Sequence, residues 1–263
     1  NGRLLDGAAT TLKPRTDIAA VVLAAGRSVR FRSARSKLAQ PLGGRPLLQW
    51  PLGVLRELGA EPIVVVVGFE AAAVQELCGP EVLFAYQPEP RGTGHAALMA
   101  APILEGFRGN ILILNGDVPF VRAQTLADLV QAHRQADSQL TLATAILDHP
   151  HGWGRIIRSA GAVKKIVEER DASPAERQLH EVNVGLYCVA AAVLFPLLEG
   201  ITPDNVQGEL YLTDLVERAL ATAREEAAAR AAALEAERAG AQARLDGLEA
   251  RREANVRELP AAV

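Results

Sequence analysis

The chain has 263 residues, 49% of them hydrophobic, with 28 basic and 31 acidic side chains and a formal net charge of -3. That apolar fraction suffices for one large core or two small ones, and the slight acid excess argues against wholesale nucleic-acid binding, which shows as a basic domain. Its only cysteines, Cys78 and Cys188, are far apart in sequence, which excludes a disulfide framework and a thiolate zinc site and fits a reducing, cytoplasmic setting. Apolar runs such as Ile63 to Val67 are strand-sized, so neither a membrane span nor a signal peptide is expected.

In chain order, residues 1–17 read as an extension without a core of its own, residues 18–219 as one domain, and residues 220–263 as a helical tail. Ile18 to Leu23 is a buried strand, followed by a helix over about 47–58, a strand at Ile63 to Val67 and a helix over about 71–77. Val82 to Tyr86 is a strand, residues 94–104 a helix, and Ile111 to Leu114 a fully apolar strand. A helix over 123–136 and a strand over 140–147 continue the alternation. The short segments 154–157 and 163–167 look like antiparallel additions, and Asn183 to Val189 is a strand leading to a helix over 190–198. Continuous apolar strands separated by amphipathic helices predict an α/β fold, a Rossmann-like mixed, mostly parallel sheet with helices on both faces. From Leu220 the composition turns to Ala, Glu and Arg, with a thin stripe of leucines at 220, 234, 245, 248 and 259, which predicts a long, weakly packed helix. Its charges read as a solvated face, with a coiled coil, self-association or partner docking as the alternative.

The first strand ends at Leu23-Ala24-Ala25-Gly26, and Arg30 and Lys37 follow in a basic loop. Small residues let backbone N–H groups approach phosphate oxygens, Gly26 can take a positive φ, and the two cations add charge where a triphosphate would lie. The bland reading is a strand end with a solvated basic loop. The segment from Gln87 to Gly94 is turn-rich: Gly92 permits a tight backbone, Thr93 offers a hydroxyl or a helix N-terminal amide to an anion or base, and the Gln87 amide can pair with a pyrimidine edge. Asn115-Gly116-Asp117 ends an apolar strand, which in an open α/β sheet puts Asp117 at the ligand-binding edge. One carboxylate beside phosphates is enough to recruit Mg²⁺, which prefers one or two carboxylates with phosphate oxygens and water. Gly154, Glu168 and Asn183, also at strand ends, suit sugar hydroxyls. Histidine has no evident part, and His149 and His151 beside Pro150 read as a turn.

In this order, LAAG at 23–26, Gln87, GTGHA at 92–96, NGDVP at 115–119, GWGRI at 152–156, IVEERDA at 166–172, EVNVG at 181–185 and QGELYLTD at 207–214 resemble one family. It is the pyrophosphorylase (uridylyltransferase) domain of the bacterial bifunctional enzyme that makes UDP-N-acetylglucosamine, within the MobA-like nucleotidyltransferase superfamily. The resemblance runs from about Ile18 to Leu215. It implies transfer of UMP from UTP to N-acetylglucosamine 1-phosphate, for cell-envelope precursors. It implies that Leu23, Ala24, Ala25 and Gly26 hold the nucleotide, Gln87, Gly92 and Thr93 the uracil side, and Arg30 and Lys37 the phosphates. Asn115 and Gly116 flank Asp117 as the Mg²⁺ ligand, and Gly154, Glu168 and Asn183 hold the amino sugar.

Ser28, Val29, Ser36, Pro90 and Asn115 depart from the family pattern, and residues 23–48 resemble cytidylyl- and guanylyltransferases of molybdenum cofactor maturation equally well. The choice of base stays open on that stretch, as do another sugar phosphate and a non-catalytic nucleotide-sugar-binding domain. No hexapeptide repeat of the family's left-handed β-helix acetyltransferase half is present. Asn255 is the sole candidate in the tail for the asparagine that completes the family's metal site, in a context that matches poorly.

Overall fold

A computed structural model describes residues 17–26 and 36–257. Ten strands and six α-helices follow in order: β1 (Ile18–Leu23), β2 (Pro41–Leu42), β3 (Arg45–Pro46), α1 (Gln49–Leu58), β4 (Ile63–Val67), α2 (Ala71–Glu76), β5 (Val82–Tyr86), α3 (Thr93–Leu98) and β6 (Asn110–Asn115). They continue with α4 (Ala123–Gln135), β7 (Leu140–Ile146), β8 (Arg155–Ser159), β9 (Ala162–Val167), β10 (Glu181–Ala190), α5 (Ala191–Glu199) and α6 (Leu215–Arg257).

Eight strands form one sheet in the order β5-β4-β1-β6-β10-β8-β9, with β7 also paired to β10. The half made of β5, β4, β1 and β6 is parallel. The inner strands β1 and β4 are buried on both faces, which is why their runs IAAVVL and IVVVV are apolar without alternation, whereas the edge strand β5 leaves Leu83 and Tyr86 exposed. Ile18, Ala20, Val22, Ile63, Val65 and Val67 pack with Leu52 and Leu55 of α1 and Leu126 and Leu129 of α4. Ala19, Val21, Val64, Val66, Ile111 and Ile113 are equally buried, and on that other face α3 packs against both β1 and α5. Burying each Val or Ile side chain contributes about 1.5–3 kcal/mol, so the centre of the sheet is a rigid frame for whatever its ends carry.

β10 reverses direction against β6, and β7 and β8 run antiparallel to β10, so both point the same way as β1. β8 and β9 form an antiparallel pair, as their short turn-separated pattern predicts. Beyond shifts of a few residues at element ends, such as α6 beginning at Leu215, α3 and the β2–β3 hairpin differ from the sequence reading. α3 stops at Leu98 rather than continuing to 104, because Pro102 cannot donate a helical N–H and disfavours the helical region at Ala101. The small hairpin β2–β3, closed by Gly43 and Gly44 at φ 60 and 79, is too short to carry a periodic signal.

The chain divides into two compact units, one up to Ala219 and one from Leu220 onward. In the second unit α6 is polar all round, and Leu234, Leu245 and Leu248 are exposed. Among the described residues no helix is long and apolar enough to cross a membrane.

Candidate active site

The candidate residues lie along the carboxyl ends of the parallel strands and the adjoining ends of β9 and β10. At the end of β1 the Ala24 N–H donates to Val66 O at 2.9 Å and Gly116 N–H donates to Leu23 O at 2.9 Å. The Ala24 amide therefore extends the sheet ladder instead of facing a phosphate, a correction to the expectation that this N–H is available. Ala24 and Ala25 are buried and Gly26 is exposed, and Gly26 does not take the positive φ its residue type permits. Arg30 lies outside the described residues.

Lys37, in a single turn of 3-10 helix, forms a very short ion pair with Asp117 just after β6; each side chain is about one-third exposed. The turn is capped by the Ser36 hydroxyl, which accepts from Leu38 N–H at 3.3 Å. Serine at position 36 thus does the work of fixing the turn that presents Lys37. The buried Leu38 anchors the same turn. Gly116 is held against the core: a Cβ there would lie 2.9 Å from Leu48 Cδ1.

The loop before α3 is closed from outside by residues 210–212. Leu210 N–H donates to Arg91 O (2.8 Å), Gly94 N–H to Leu210 O (2.7 Å) and Leu212 N–H to the Thr93 hydroxyl (2.9 Å). Gly92 sits at φ 105, where a Cβ would be 2.4 Å from Leu210 O, so only glycine fits. The Thr93 hydroxyl oxygen thereby accepts from Leu212, which leaves its own proton free to donate. Gln87, 6% exposed, donates from Nε2 to Gly92 O (3.1 Å) and to His95 Nδ1 (2.9 Å). Burial, with Arg91 nearby, lowers the His95 pKa and so favours the neutral ring.

A cavity of about 240 Å³ is lined by Ala25, Gly68, Phe69, Glu70, Tyr86 and Gln87, with Pro88 and Pro90. Gly68 admits this approach: a Cβ there would lie 3.0 Å from both Ala25 Cβ and Gln87 O. Phe69, Glu70 and Tyr86 were missed by sequence reasoning. Glu70 takes a left-handed φ of 53 at the start of α2, a conformation with no signal in its residue type.

On the antiparallel side, Asn183 N–H donates to Gly154 O (2.9 Å), its Oδ1 accepts from Gly185 N–H (3.0 Å) and its Nδ2 donates to Tyr187 Oη (2.7 Å). The Asn183 amide is therefore held by β10 itself. Glu168 accepts from the Thr213 hydroxyl at 3.2 Å, and burial raises its pKa. Gly154 lies under it, since a Cβ there would meet both Glu168 carboxylate oxygens at 3.5 Å. Arg155, 1% exposed, braces the loop by donating to Leu179 O and Trp153 O and pairing with Glu169 at 2.8 Å. Gly185, at φ 74, brings β10 against β6: a Cβ there would be 3.0 Å from Asn115 Nδ2.

Among the described residues no three His, Cys, Asp or Glu side chains are grouped to hold a metal. The donor set at the end of β6 is a single carboxylate, Asp117, beside a cation. That set fits Mg²⁺ completed by substrate phosphates and water, and does not fit an all-protein cage. Asn255 falls within α6, and its side chain lies outside the described residues.

The chain aligns with the solved structure of UDP-glucose pyrophosphorylase in complex with UDP-glucose at a TM-score of 0.59 and 18% identity, over 76% of this chain and 86% of that one. Its fold is thus that of the nucleotide-sugar pyrophosphorylases. The family model of the MobA-like NTP transferase domain matches residues 20–245, and the chain belongs to that family. It is 46% identical over 203 residues to the bifunctional protein GlmU of Pelobacter propionicus, covering 76% of this chain and 44% of the relative. It is 48% identical over 203 residues to that of Geobacter metallireducens, covering 76% and 43%. The chain spans less than half the length of these curated relatives.

Proposed function

We propose that the chain is a sugar-1-phosphate uridylyltransferase that converts UTP and N-acetylglucosamine 1-phosphate to UDP-N-acetylglucosamine and pyrophosphate. The observation that carries this reading is a contiguous rim of residues along the sheet. It runs from Gln87 through Gly68 and Ala25 to Leu23 and Gly116, and from Asn115 through Gly185, Asn183 and Gly154 to Glu168. The Lys37–Asp117 pair stands beside its middle. A nucleotide on the parallel side and a sugar phosphate on the antiparallel side would meet there, each oriented by its own set of groups.

In the reaction a phosphate oxygen of the sugar phosphate forms a bond to the α-phosphorus of UTP. The bond from that phosphorus to the bridging oxygen breaks, and pyrophosphate leaves with its electron pair. No covalent enzyme intermediate is required, so the residues contribute alignment and charge stabilisation. Lys37 stabilises negative charge on the phosphates once it exchanges its partner Asp117 for them. Asp117 is the residue that would hold Mg²⁺, which when bound neutralises charge on the transferring phosphoryl group. Glu168 and the backbone around Gly154 hold the sugar hydroxyls, while Asn183 orients that backbone through its bond to Gly154 O.

The test is pyrophosphate release from each nucleoside triphosphate with N-acetylglucosamine 1-phosphate or glucose 1-phosphate, with and without Mg²⁺. Turnover confined to UTP, the amino sugar and Mg²⁺, and abolished in Asp117→Ala, is the expected result. Folded protein that releases no pyrophosphate from any pair would overturn the proposal.

A further inference from the structure

We propose that His95 is a positioning residue for base selection: its neutral ring accepts at Nδ1 and fixes the Gln87 side chain so that the amide oxygen, not the amide nitrogen, meets the nucleotide base. The inference rests on the reading above, in which Gln87 faces the base.

Gln87 Nε2 is 3.1 Å from Gly92 O and 2.9 Å from His95 Nδ1. A backbone carbonyl has no proton to give, so the amide nitrogen is the atom that faces it, and the usual ambiguity between the two ends of a glutamine amide is removed. That bond uses one N–H. The second is aimed at His95 Nδ1, which must present a lone pair, since a proton there would set two donors face to face. The ring therefore carries its proton on Nε2. Both amide hydrogens are consumed, and Oε1 is the one hydrogen-bonding atom of Gln87 left for a ligand.

Three features hold this arrangement. Gln87 and His95 are 6% and 8% exposed, so water competes poorly for either. The Gly92 carbonyl is fixed by Ala96 N–H, which donates to it at 3.1 Å, and by the clamp from Leu210 on Arg91 and Gly94 to either side. Burial and the adjacent Arg91 disfavour a charged ring.

The consequence is a choice between pyrimidines. An acceptor at this point of the cavity pairs with the N3–H of uracil, whereas cytosine presents a lone pair at N3 and is repelled. If His95 lost its acceptor, the bond to Gly92 O alone would hold the amide, and turning it over to offer N–H₂, which suits cytosine, would cost one hydrogen bond less. His95 would thus govern base choice without touching the base.

Two measurements test this. The first is a two-bond proton–nitrogen correlation spectrum of the full chain labelled with ¹⁵N-histidine, with His95 assigned by its loss in His95→Asn. A bare Nδ1 and a protonated Nε2 near neutral pH are expected, and a proton on Nδ1 would overturn the inference whether or not any variant folds. The second is calorimetric binding of UTP and CTP to the wild type, His95→Phe and His95→Asn, with folding checked by circular dichroism. His95→Phe keeps a flat ring but has no acceptor, and is expected to lower the UTP-to-CTP affinity ratio about tenfold, the worth of one hydrogen bond in a buried setting. His95→Asn, whose amide oxygen can stand in for Nδ1, is expected to hold the ratio within about twofold of wild type. An unchanged ratio in His95→Phe overturns the inference. A His95-dependent preference for UTP without turnover would uphold it while overturning the proposed activity, and turnover confined to UTP with an unchanged affinity ratio in His95→Phe would do the reverse.

Discussion

The parallel and antiparallel halves of the sheet build their parts of the site in different ways. On the parallel side the frame is fully apolar, and the polar groups sit on loops held by long-range bonds, such as Leu210 to Arg91 and Gly94 and Lys37 to Asp117. On the antiparallel side they sit on or directly after the strands, and are braced within one hairpin and its neighbour, as Asn183 is by Gly154, Gly185 and Tyr187. The nucleotide side therefore depends on a distant segment closing over it, whereas on the sugar side Asn183 is stiffened locally and Glu168 reaches that segment through Thr213.

That contrast is broken most severely at Gly92. Gly92→Val places a Cβ against Leu210 O in a backbone conformation with φ of 105. Strain and displacement of the clamp are expected to cost about 3 kcal/mol and to lower Tm by roughly 6–12 °C. UTP-dependent pyrophosphate release should fall about a hundredfold through misalignment. Scanning calorimetry with the release assay checks both, and a variant with wild-type Tm would show that the clamp is not needed.

Comparable in its effect on turnover, but not on stability, is the Lys37–Asp117 pair. Both partners are about one-third exposed, so the pair contributes at most about 1 kcal/mol to stability. Lys37→Ala should leave Tm within a few degrees of wild type yet lower kcat/KM roughly 10²–10³-fold by removing charge stabilisation from the phosphates. A large loss of Tm with activity intact would make the pair structural. Smaller still is Glu168→Gln, which keeps the shape and removes the charge. It is expected to raise KM for the sugar phosphate about tenfold and to leave KM for UTP unchanged. Equal effects on both substrates would dissolve the distinction between the halves.

How far this was legible in the sequence follows the same division. β1 and β4 fall on the residues their apolar runs predict, because a strand buried on both faces leaves an uninterrupted pattern, and the edge strand β5 does so with only part of its run buried. Glu168, Asn183 and Asp117 could be placed as polar residues at strand ends. The partners that tie the nucleotide side together could not, since nothing local marks Leu210 as the cover of Gly92. His95 shows the limit most clearly. Its role depends on a side chain eight residues earlier and on the Gly92 carbonyl, which accepts from Ala96 N–H between the two Leu210 bonds to Arg91 and Gly94, so histidine was read as having no part. The available signal was weak: a histidine in the first turn of a helix after a glycine turn, with a glutamine at the preceding strand's end.

The smallest expected effect tests how the clamp is joined to the sugar side. Asp214 follows Thr213, the residue that binds Glu168, and its pKa is raised to about 6 by burial, with Glu217, Glu168 and Asp171 adding repulsion. The folded protein therefore holds this proton more tightly than the unfolded chain, whose carboxyl titrates near 3.9. The stability associated with the protonated form is fully present below about pH 4 and is lost as pH rises through about 6. Asp214→Asn fixes the side chain in a neutral state. At pH 8 it should be more stable than wild type by ~1–2 kcal/mol, allowing for partial solvent screening, and the gain should vanish toward pH 4. Urea denaturation of the two proteins at several pH values measures this. A gain that does not change with pH would mean that the substitution acts through packing, and that the carboxylate at 214 does not strain the junction between Glu168 and the segment that closes over Gly92.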